Sequence, residues 1–335
     1  MTEWREQLSA EERDALRRKA MPDWTAPMLA TLTKNRFSSP DWIYERKLDG
    51  ERCLAFRSGK KTRLLSRNQR DLRDTYPELV DALDTRASSG IIVDGEIVAF
   101  DGNVTSFSRL QQRIGLTDAE EARQSGVKVY LYLFDLLHFD GYDVTGLPLR
   151  TRKSLLRRCV EFGGPLRYTA HRNESGEDYH ATACKKGWEG VIAKRADSAY
   201  VHHRSTDWLK FKCVNQQELV IGGYTDPQGS RIGFGALLLG YYDGDELCYA
   251  GKVGTGFDDA LLERLGAKLE SLERQSCPFA QVPSDAGKGT HWVTPKLVGE
   301  IAFTEWTRDN RLRHPRFLGL RRDKPASKVV REEPA

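Results

Sequence analysis

The sequence predicts an α+β fold, antiparallel sheets with flanking helices, followed by a small β-barrel. Three features carry that prediction. Short β-rich runs alternate with helical stretches up to Cys213. After Cys213, strand-like runs are separated by Gly-, Asp- and Pro-rich turns, with one long helix among them. Finally, 335 residues with 39% hydrophobic content suffice for two domains with their own cores.

Taken in order, residues 9–20 read as a charged helix, because Ser9-Ala10-Glu11-Glu12 has the form of a capping box and Leu16 supplies its main apolar contact. β-rich runs follow at 42–47, 51–58, 63–66, 91–100 and 127–134, with helical periodicity at 77–87, 110–124 and 152–161. Beyond a boundary near Val214, strand-like segments occur at 219–224, 236–242 and 246–253, then a helix at 257–275, then strands at 292 and 300–308. That texture fits an OB-fold or an SH3-like barrel. The domains are therefore expected at 1–213 and 214–335. There is no internal repeat or low-complexity segment.

The net charge of +4 permits a polyanionic partner. Its distribution says more: Arg308, Arg311, Arg313, Arg316, Arg321, Arg322, Lys324, Lys328 and Arg331 crowd the C-terminal end. The last few of these read as a solvated tail. The six cysteines are dispersed, with no C-x-x-C pair and no histidine at zinc-ligand spacing beside them, so they read as buried, reduced thiols in a cytosolic protein. No apolar run approaches the length of a membrane span, and the first residues lack the basic-then-apolar order of a signal peptide.

Lys47-Leu48-Asp49-Gly50, with Glu45 before and Arg52 after, places a candidate nucleophilic lysine at the end of an apolar run. A free lysine is neutral in only roughly one molecule in a few thousand at pH 7. Burial, a neighbouring cation or a metal must therefore lower its pKa, and Arg46 and Arg52 are the nearby cations. Asp94-Gly95-Glu96 and Glu189-Gly190-Val191-Ile192-Ala193-Lys194 set carboxylates beside glycine and β-branched residues, which suits Mg²⁺ or a ribose hydroxyl. In Trp208-Leu209-Lys210-Phe211-Lys212 the two lysines share one strand face and can neutralise phosphate oxygens. Tyr130, Tyr132 and Phe134 share a strand face on which a purine could stack. Taken singly, each motif has an ordinary structural reading: a strand-edge charge, a solvated face or core packing. Residues 251–256 lack the Gly-Lys-Ser/Thr ending of a P-loop and read as a strand turn.

In order along the chain, Lys47-Leu48-Asp49-Gly50, Ser66-Arg67-Asn68, Asp94-Gly95-Glu96, Phe134-Asp135, Glu189 to Lys194, Lys210-Phe211-Lys212 and Arg321-Arg322-Asp323-Lys324 resemble motifs I, Ia, III, IIIa, IV, V and VI of the covalent nucleotidyltransferases. Within that superfamily the chain is most similar to ATP-dependent DNA ligases of the bacterial end-joining type. Pro27-Met28-Leu29-Ala30, Gly235 to Gly240, Gly251 to Gly256 and His314 to Gly319 carry that likeness.

The resemblance implies an adenylation (nucleotidyltransferase) domain followed by an OB-fold. It also implies nick sealing through a lysyl-AMP intermediate and a DNA-adenylate, with ATP and Mg²⁺ or Mn²⁺ as cofactors. It makes Lys47, Asp49, Lys210 and Lys212 the catalytic set. Glu45 is expected at adenine and Phe134 stacked on it, with Arg52 and Arg67 at ribose or phosphate and Ile192 among the nucleotide-binding positions. Glu96 would hold the ribose or metal, and Glu189 the metal. Lys210 and Lys212 would meet the phosphates, and Arg321, Asp323 and Lys324 would orient pyrophosphate when a hinge near Val214 closes. Consecutive arginines let Arg322 share the work of Arg321. Two histidines in 198–205, where relatives tend to have proline and glycine, suggest a surface loop near DNA.

The expected partner is nicked double-stranded DNA, bound by a monomer in the bacterial cytoplasm and nucleoid, with no membrane contact. With no room for a DNA-clamping, zinc or BRCT-like domain, encirclement of DNA falls to the two domains or to a partner such as a Ku-like end-binding protein or a repair polymerase. The alternatives are an RNA ligase or a GTP-dependent capping-type enzyme, and a non-catalytic nucleic-acid-binding relic.

Overall fold

The computed structural model describes residues 3–321 and 324–333. The chain folds as two compact units that meet in sequence between Cys213 and Val214.

The first unit contains two sheets. One runs in the spatial order Lys61–Ser66, Glu51–Ser58, Ile91–Asp101, Val129–Phe139, all antiparallel, and Leu166–Tyr168 adds a parallel pair to Val129–Phe139. The other runs His171–Asn173, Trp42–Lys47, Gly190–Arg195, Arg204–Lys212, Leu29–Leu32, with only the last pair parallel. The antiparallel expectation therefore holds for the strands that carry the motifs and fails at two edges.

Side-chain alternation sends one set of each sheet's apolar residues outward to helices and leaves a second, with Leu54, Phe56, Ile92, Phe134 and Trp208, between the sheets. Cys53, Ala55, Val93, Ile97, Leu131 and Leu133 pack with Leu79 and Leu83 of the Pro77–Arg86 helix and Leu155 and Leu156 of the Leu149–Cys159 helix. Trp42, Tyr44, Val191, Ala193 and Phe211 pack with Tyr179 and Ala183 of the Gly176–Lys185 helix. Each such large apolar side chain contributes about 1.5–3 kcal/mol relative to exposure. With the scaffold held from outside, the inner faces can carry charge. Those faces meet at Phe134 and Trp208, whose rings lie edge to face at 6.1 Å.

Several expected elements differ. The helix expected at 110–124 is two helices, Phe107–Gln111 and Ala119–Gln124, because Gly115 turns the chain at φ 101° and Asp118 caps a new start by accepting from the Glu120 and Glu121 amides. The capping box at Ser9 is present, but the helix ends at Ala15, and Arg17–Arg18 pairs as an edge strand with Tyr142–Asp143. The Gly176–Lys185 helix and the Leu29–Leu32 strand were not anticipated. The reading of all cysteines as buried, reduced thiols fails too. Cys184 and Cys213 form a disulfide and are partly exposed, since the helix and the strand end bring together residues 29 apart. Cys53 and Cys159 are buried free thiols, while Cys248 and Cys277 are free and partly exposed.

The second unit is an OB-fold. Its antiparallel strands run Glu246–Val253, Leu237–Asp243, Asn215–Thr225, Thr290–Phe303, Arg316–Arg321. The Phe317 amide donates to the Thr255 carbonyl at 2.9 Å, tying the last strand to the turn after the Glu246–Val253 strand. The Asp259–Glu270 helix, capped by Asp258, packs Leu262, Leu265 and Leu269 into the barrel core with Ile221, Leu239 and Ile301. The separate strands expected near 292 and 300–308 are instead one strand of 14 residues followed by Glu305–Trp306. The stretch 326–329 is not a solvated tail: Val329 is fully buried and its carbonyl accepts from the Tyr242 amide. Among the described residues no helix is long and apolar enough to cross a membrane.

Candidate active site

Residues opposite one another in antiparallel strands project to the same face. Across the Trp42–Lys47, Gly190–Arg195 and Arg204–Lys212 strands this makes two rows, Lys47–Gly190–Lys212 and Glu45–Ile192–Lys210. Both rows lie on the inner face, opposite the Tyr44–Val191–Phe211 core. Gly190 is required in the first row. Its φ of 150° is disfavoured for other residues, and a Cβ there would collide with the Phe211 carbonyl oxygen.

Lys47 is ion-paired with Glu189, the residue just before the adjacent Gly190–Arg195 strand. Burial works to lower the lysine pKa, but Glu189, with Asp49 and Glu96, outweighs it and holds the ammonium above the ordinary lysine range. Burial therefore does not by itself lower the Lys47 pKa as expected, because the acids around the lysine prevail over it. Arg46 turns away, its guanidinium 4.3 Å from the Trp188 ring. Arg52 forks onto buried Asp94 at 2.5 and 2.6 Å and donates to the Met28 carbonyl at 3.1 Å.

The turn after Lys47 is fixed by its own residues. The Asp49 amide donates to Thr105 Oγ1 and the Asp49 carboxylate accepts from the Phe107 amide, each at 3.2 Å. A Cβ at Gly50 would strike the Ile97 carbonyl oxygen. Asp49 therefore anchors the lysine-bearing turn to the start of the Phe107–Gln111 helix.

Glu45 is almost fully buried, and its two oxygens pair with Lys153 and, at 2.7 Å, with Lys194. Burial pushes its pKa up, yet the two lysines prevail and hold the carboxyl below its usual range. Each oxygen of Glu45 thus has one lysine beside it. Lys153, on the Leu149–Cys159 helix, has no motif to announce it; a lysine inside an apolar helical face was the only available signal. Phe134 is 8% exposed, with Arg52 4.7 Å and Lys194 Nζ 4.2 Å from its ring centre.

Glu96 is half-buried and stands in register with Arg52 and Tyr132. Ile192, Lys210 and Lys212 are also half-buried, as is Arg67, just beyond the Lys61–Ser66 strand. The loop 198–205 is only partly a surface loop. His202 and His203 are exposed, but Tyr200 is buried and donates to Asp94 at 2.6 Å. In the second unit Lys324 pairs with Glu218 at 2.6 Å, and Arg321 lies 3.7 Å from Glu218 and 3.9 Å from Glu300. Arg322 and Asp323 lie outside the described residues.

The carboxylates suit a hard divalent cation, which takes oxygen ligands. Glu189 has one oxygen on Lys47, while its Oε2 is buried without a hydrogen-bond partner among the described residues. An orphaned carboxylate oxygen beside an ammonium, with Glu96 adding to the same field, fits such an ion.

Residues 27–212 match the ATP dependent DNA ligase domain family, and residues 230–324 match the ATP dependent DNA ligase C terminal region. Over 322 residues the chain is 42% identical to a multifunctional non-homologous end joining protein LigD of Pseudomonas aeruginosa, covering 94% of this chain and 37% of that protein. A LigD described as a non-homologous end joining DNA repair protein of Mycobacterium tuberculosis is 38% identical, with 92% of this chain and 40% of that protein covered. The chain thus spans well under half the length of these relatives. Among solved structures, a mycobacterial DNA ligase D complexed with ATP and MES superimposes with a TM-score of 0.66 at 36% identity, over 92% of this chain and 98% of that one. With both units matched in order, the chain belongs to the ATP-dependent DNA ligases.

Proposed function

We propose that this chain seals nicks in duplex DNA, with ATP as adenylate donor and Lys47 as the residue that carries AMP. The observation that carries the reading is the Lys47–Glu189 pair beside Lys210 and Lys212 on one inner sheet face. Deprotonated Lys47 Nζ attacks the α-phosphorus of ATP; an N–P bond forms as the bond to pyrophosphate breaks. A 5′-phosphate oxygen at the nick then attacks the same phosphorus and frees Lys47, and the 3′-hydroxyl finally displaces AMP.

Lys210 and Lys212 stabilise the charge that grows on the phosphate oxygens, where fixed cations act most strongly. Asp49 keeps the lysine turn in place. Glu189 and Glu96 would hold Mg²⁺ or Mn²⁺, which when bound offsets phosphate charge and weakens the hold of Glu189 on the lysine proton. Arg52, Arg67, Phe134 and Ile192 would bind the nucleoside and its phosphates, with Glu45 at adenine and held in place by Lys153 and Lys194. Arg321, Asp323 and Lys324 would orient pyrophosphate.

The relatives' names, which specify non-homologous end joining, support a role in bacterial DNA repair; the nucleoid as its place, and a Ku-like end-binding protein or a repair polymerase as its partner, are carried over by analogy alone. The test is a singly nicked duplex, with DNA or RNA on the 3′-hydroxyl side, incubated with ATP, GTP or NAD. Sealing with ATP and covalent label from α-labelled ATP are expected. Label from GTP alone would overturn the reading in favour of capping chemistry, and no label with retained duplex binding would leave a binding relic.

A further inference from the structure

We propose that Cys184 and Cys213, with His180 beside them, form a reversible thiol–disulfide site that controls the backbone carrying Glu189 and Lys212. His180 and Cys184 lie one turn apart on the Gly176–Lys185 helix, and Cys213 directly follows Lys212. The His180 ring nitrogen and both sulfurs lie within 4.8 Å of one another, with His180 Nε2 3.4 Å from Cys184 Sγ.

The cluster grips both candidate active-site strands. The Cys213 amide donates to the Glu189 carbonyl at 3.0 Å. Arg36 donates to the Lys212 carbonyl and to His180 Nε2, each at 3.3 Å. A covalent tie between Cys184 and Cys213 therefore restrains the segment that supplies one carboxylate and one phosphate-binding lysine. It also restrains the last residue before the second unit begins.

Access and proximity together mark this pair. Both sulfurs belong to partly exposed residues and are bonded to one another, whereas Cys53 and Cys159 are buried, with burial pushing the Cys159 thiol up to about 12, and the partly exposed Cys248 and Cys277 are free thiols. The same three side chains could hold a soft cation once reduced, but with the two sulfurs bonded to each other neither is the thiolate that such a cation takes. The geometry favours the covalent pair.

The oxidant is a small-molecule disulfide such as oxidised glutathione. The Cys184 thiolate attacks one of its sulfurs and a glutathione thiolate leaves; the Cys213 thiolate then attacks Cys184 Sγ and expels the second glutathione. Two protein S–H bonds become one S–S bond, both electrons go to the glutathione disulfide, and the two protons end on the two glutathione thiols.

The control of turnover rests on the ligase reading above, so the test separates the two. The full chain is equilibrated across reduced-to-oxidised glutathione ratios, and bridging is read by alkylation and peptide mass. Amide hydrogen exchange is read at 189–191 and 210–213, and nick sealing is assayed in parallel. The expected result is a Cys184–Cys213 bridge, slower exchange at both segments on oxidation, and sealing reduced about 2- to 30-fold. Dithiothreitol should restore sealing, and C184S and C213S should seal at the reduced rate whatever the ratio. Absence of the bridge, a bridge with unchanged exchange or unchanged sealing, or one zinc per reduced chain lost in C184S would each overturn the proposal. A bridge with the exchange change in a chain that never seals DNA would overturn the ligase reading and leave the redox site standing.

Discussion

Glu189 holds the ammonium of Lys47 in an ion pair that keeps the nucleophile protonated, and the other oxygen of the same carboxylate is buried without a partner. The raised lysine pKa fixes the sign of the pH dependence, because attack needs the neutral amine. At saturating ATP and Mg²⁺, lysyl-AMP formation should climb with pH, by up to about tenfold per unit between about pH 6 and 7.5. Label incorporation in a pH series checks this, and a flat profile over that range would show that the proton leaves by another route. Glu189→Gln removes both the acid that keeps Lys47 protonated and a candidate cation ligand; loss of the ligand should slow adenylation at saturating pH, while the rise with pH should begin lower.

Lys47→Ala should abolish covalent label from α-labelled ATP while leaving duplex affinity unchanged. The side chain is largely buried at a strand end and its loss leaves the backbone turn held by Asp49. Retained label would move the nucleophile elsewhere.

Lys210→Ala and Lys212→Ala should each lower sealing about 10²- to 10³-fold, the size expected for deleting one pre-placed group from a charged transition state. Both residues are half-buried on a strand whose core is held by Trp208 and Phe211, so the unfolding midpoint in urea should barely move. A large drop in that midpoint would assign the two lysines to the fold instead.

Glu45→Gln leaves Lys153 and Lys194 buried together without their shared counter-charge. Breaking such a pair costs about 3–5 kcal/mol, readable in urea unfolding at neutral pH. The folded carboxyl titrates below its usual value, so its contribution is present above the unfolded carboxyl pKa and is lost as pH falls through the folded one. The gap between wild type and variant should therefore close in acid. A constant gap would mean that the amide disturbs packing alone.

Duplex affinity should fall steeply with salt, since a sealing enzyme contacts backbone phosphates. Arg308 and Arg316 are exposed, whereas Arg313 is paired with Glu305 and Lys324 with Glu218. Arg308→Ala and Arg316→Ala should each reduce the slope of log affinity against log salt by about one unit. An unchanged slope would place the DNA elsewhere.

Much of the scaffold was legible. β-rich composition placed the Trp42–Lys47 and Glu51–Ser58 strands to the residue, because a short run buried on both faces shows as a run of apolar and aromatic residues. The helix over 110–124 was overcalled because its apolar spacing continues through Gly115, whose positive φ ends it. Lys153 was missed because nothing near it in sequence shows that Glu45, 108 residues earlier, will lie against it. The Cys184–Cys213 pair was missed for the same reason: a helix and a strand end had to meet first.

The sequence by itself determined the inventory and order of the chemistry: a lysine in a Lys-x-Asp-Gly turn, two carboxylates beside glycines, two lysines on one strand face and a basic C-terminal motif. Those depend on side-chain type and on the two-residue period of a strand, both of which are local. Only the tertiary structure decided their electrostatic state. It put Glu189 on Lys47, Asp94 on Arg52, two lysines on Glu45 and a disulfide beside Lys212. Charge interactions and burial depend on distance in space, and strand register, not chain position, sets those distances.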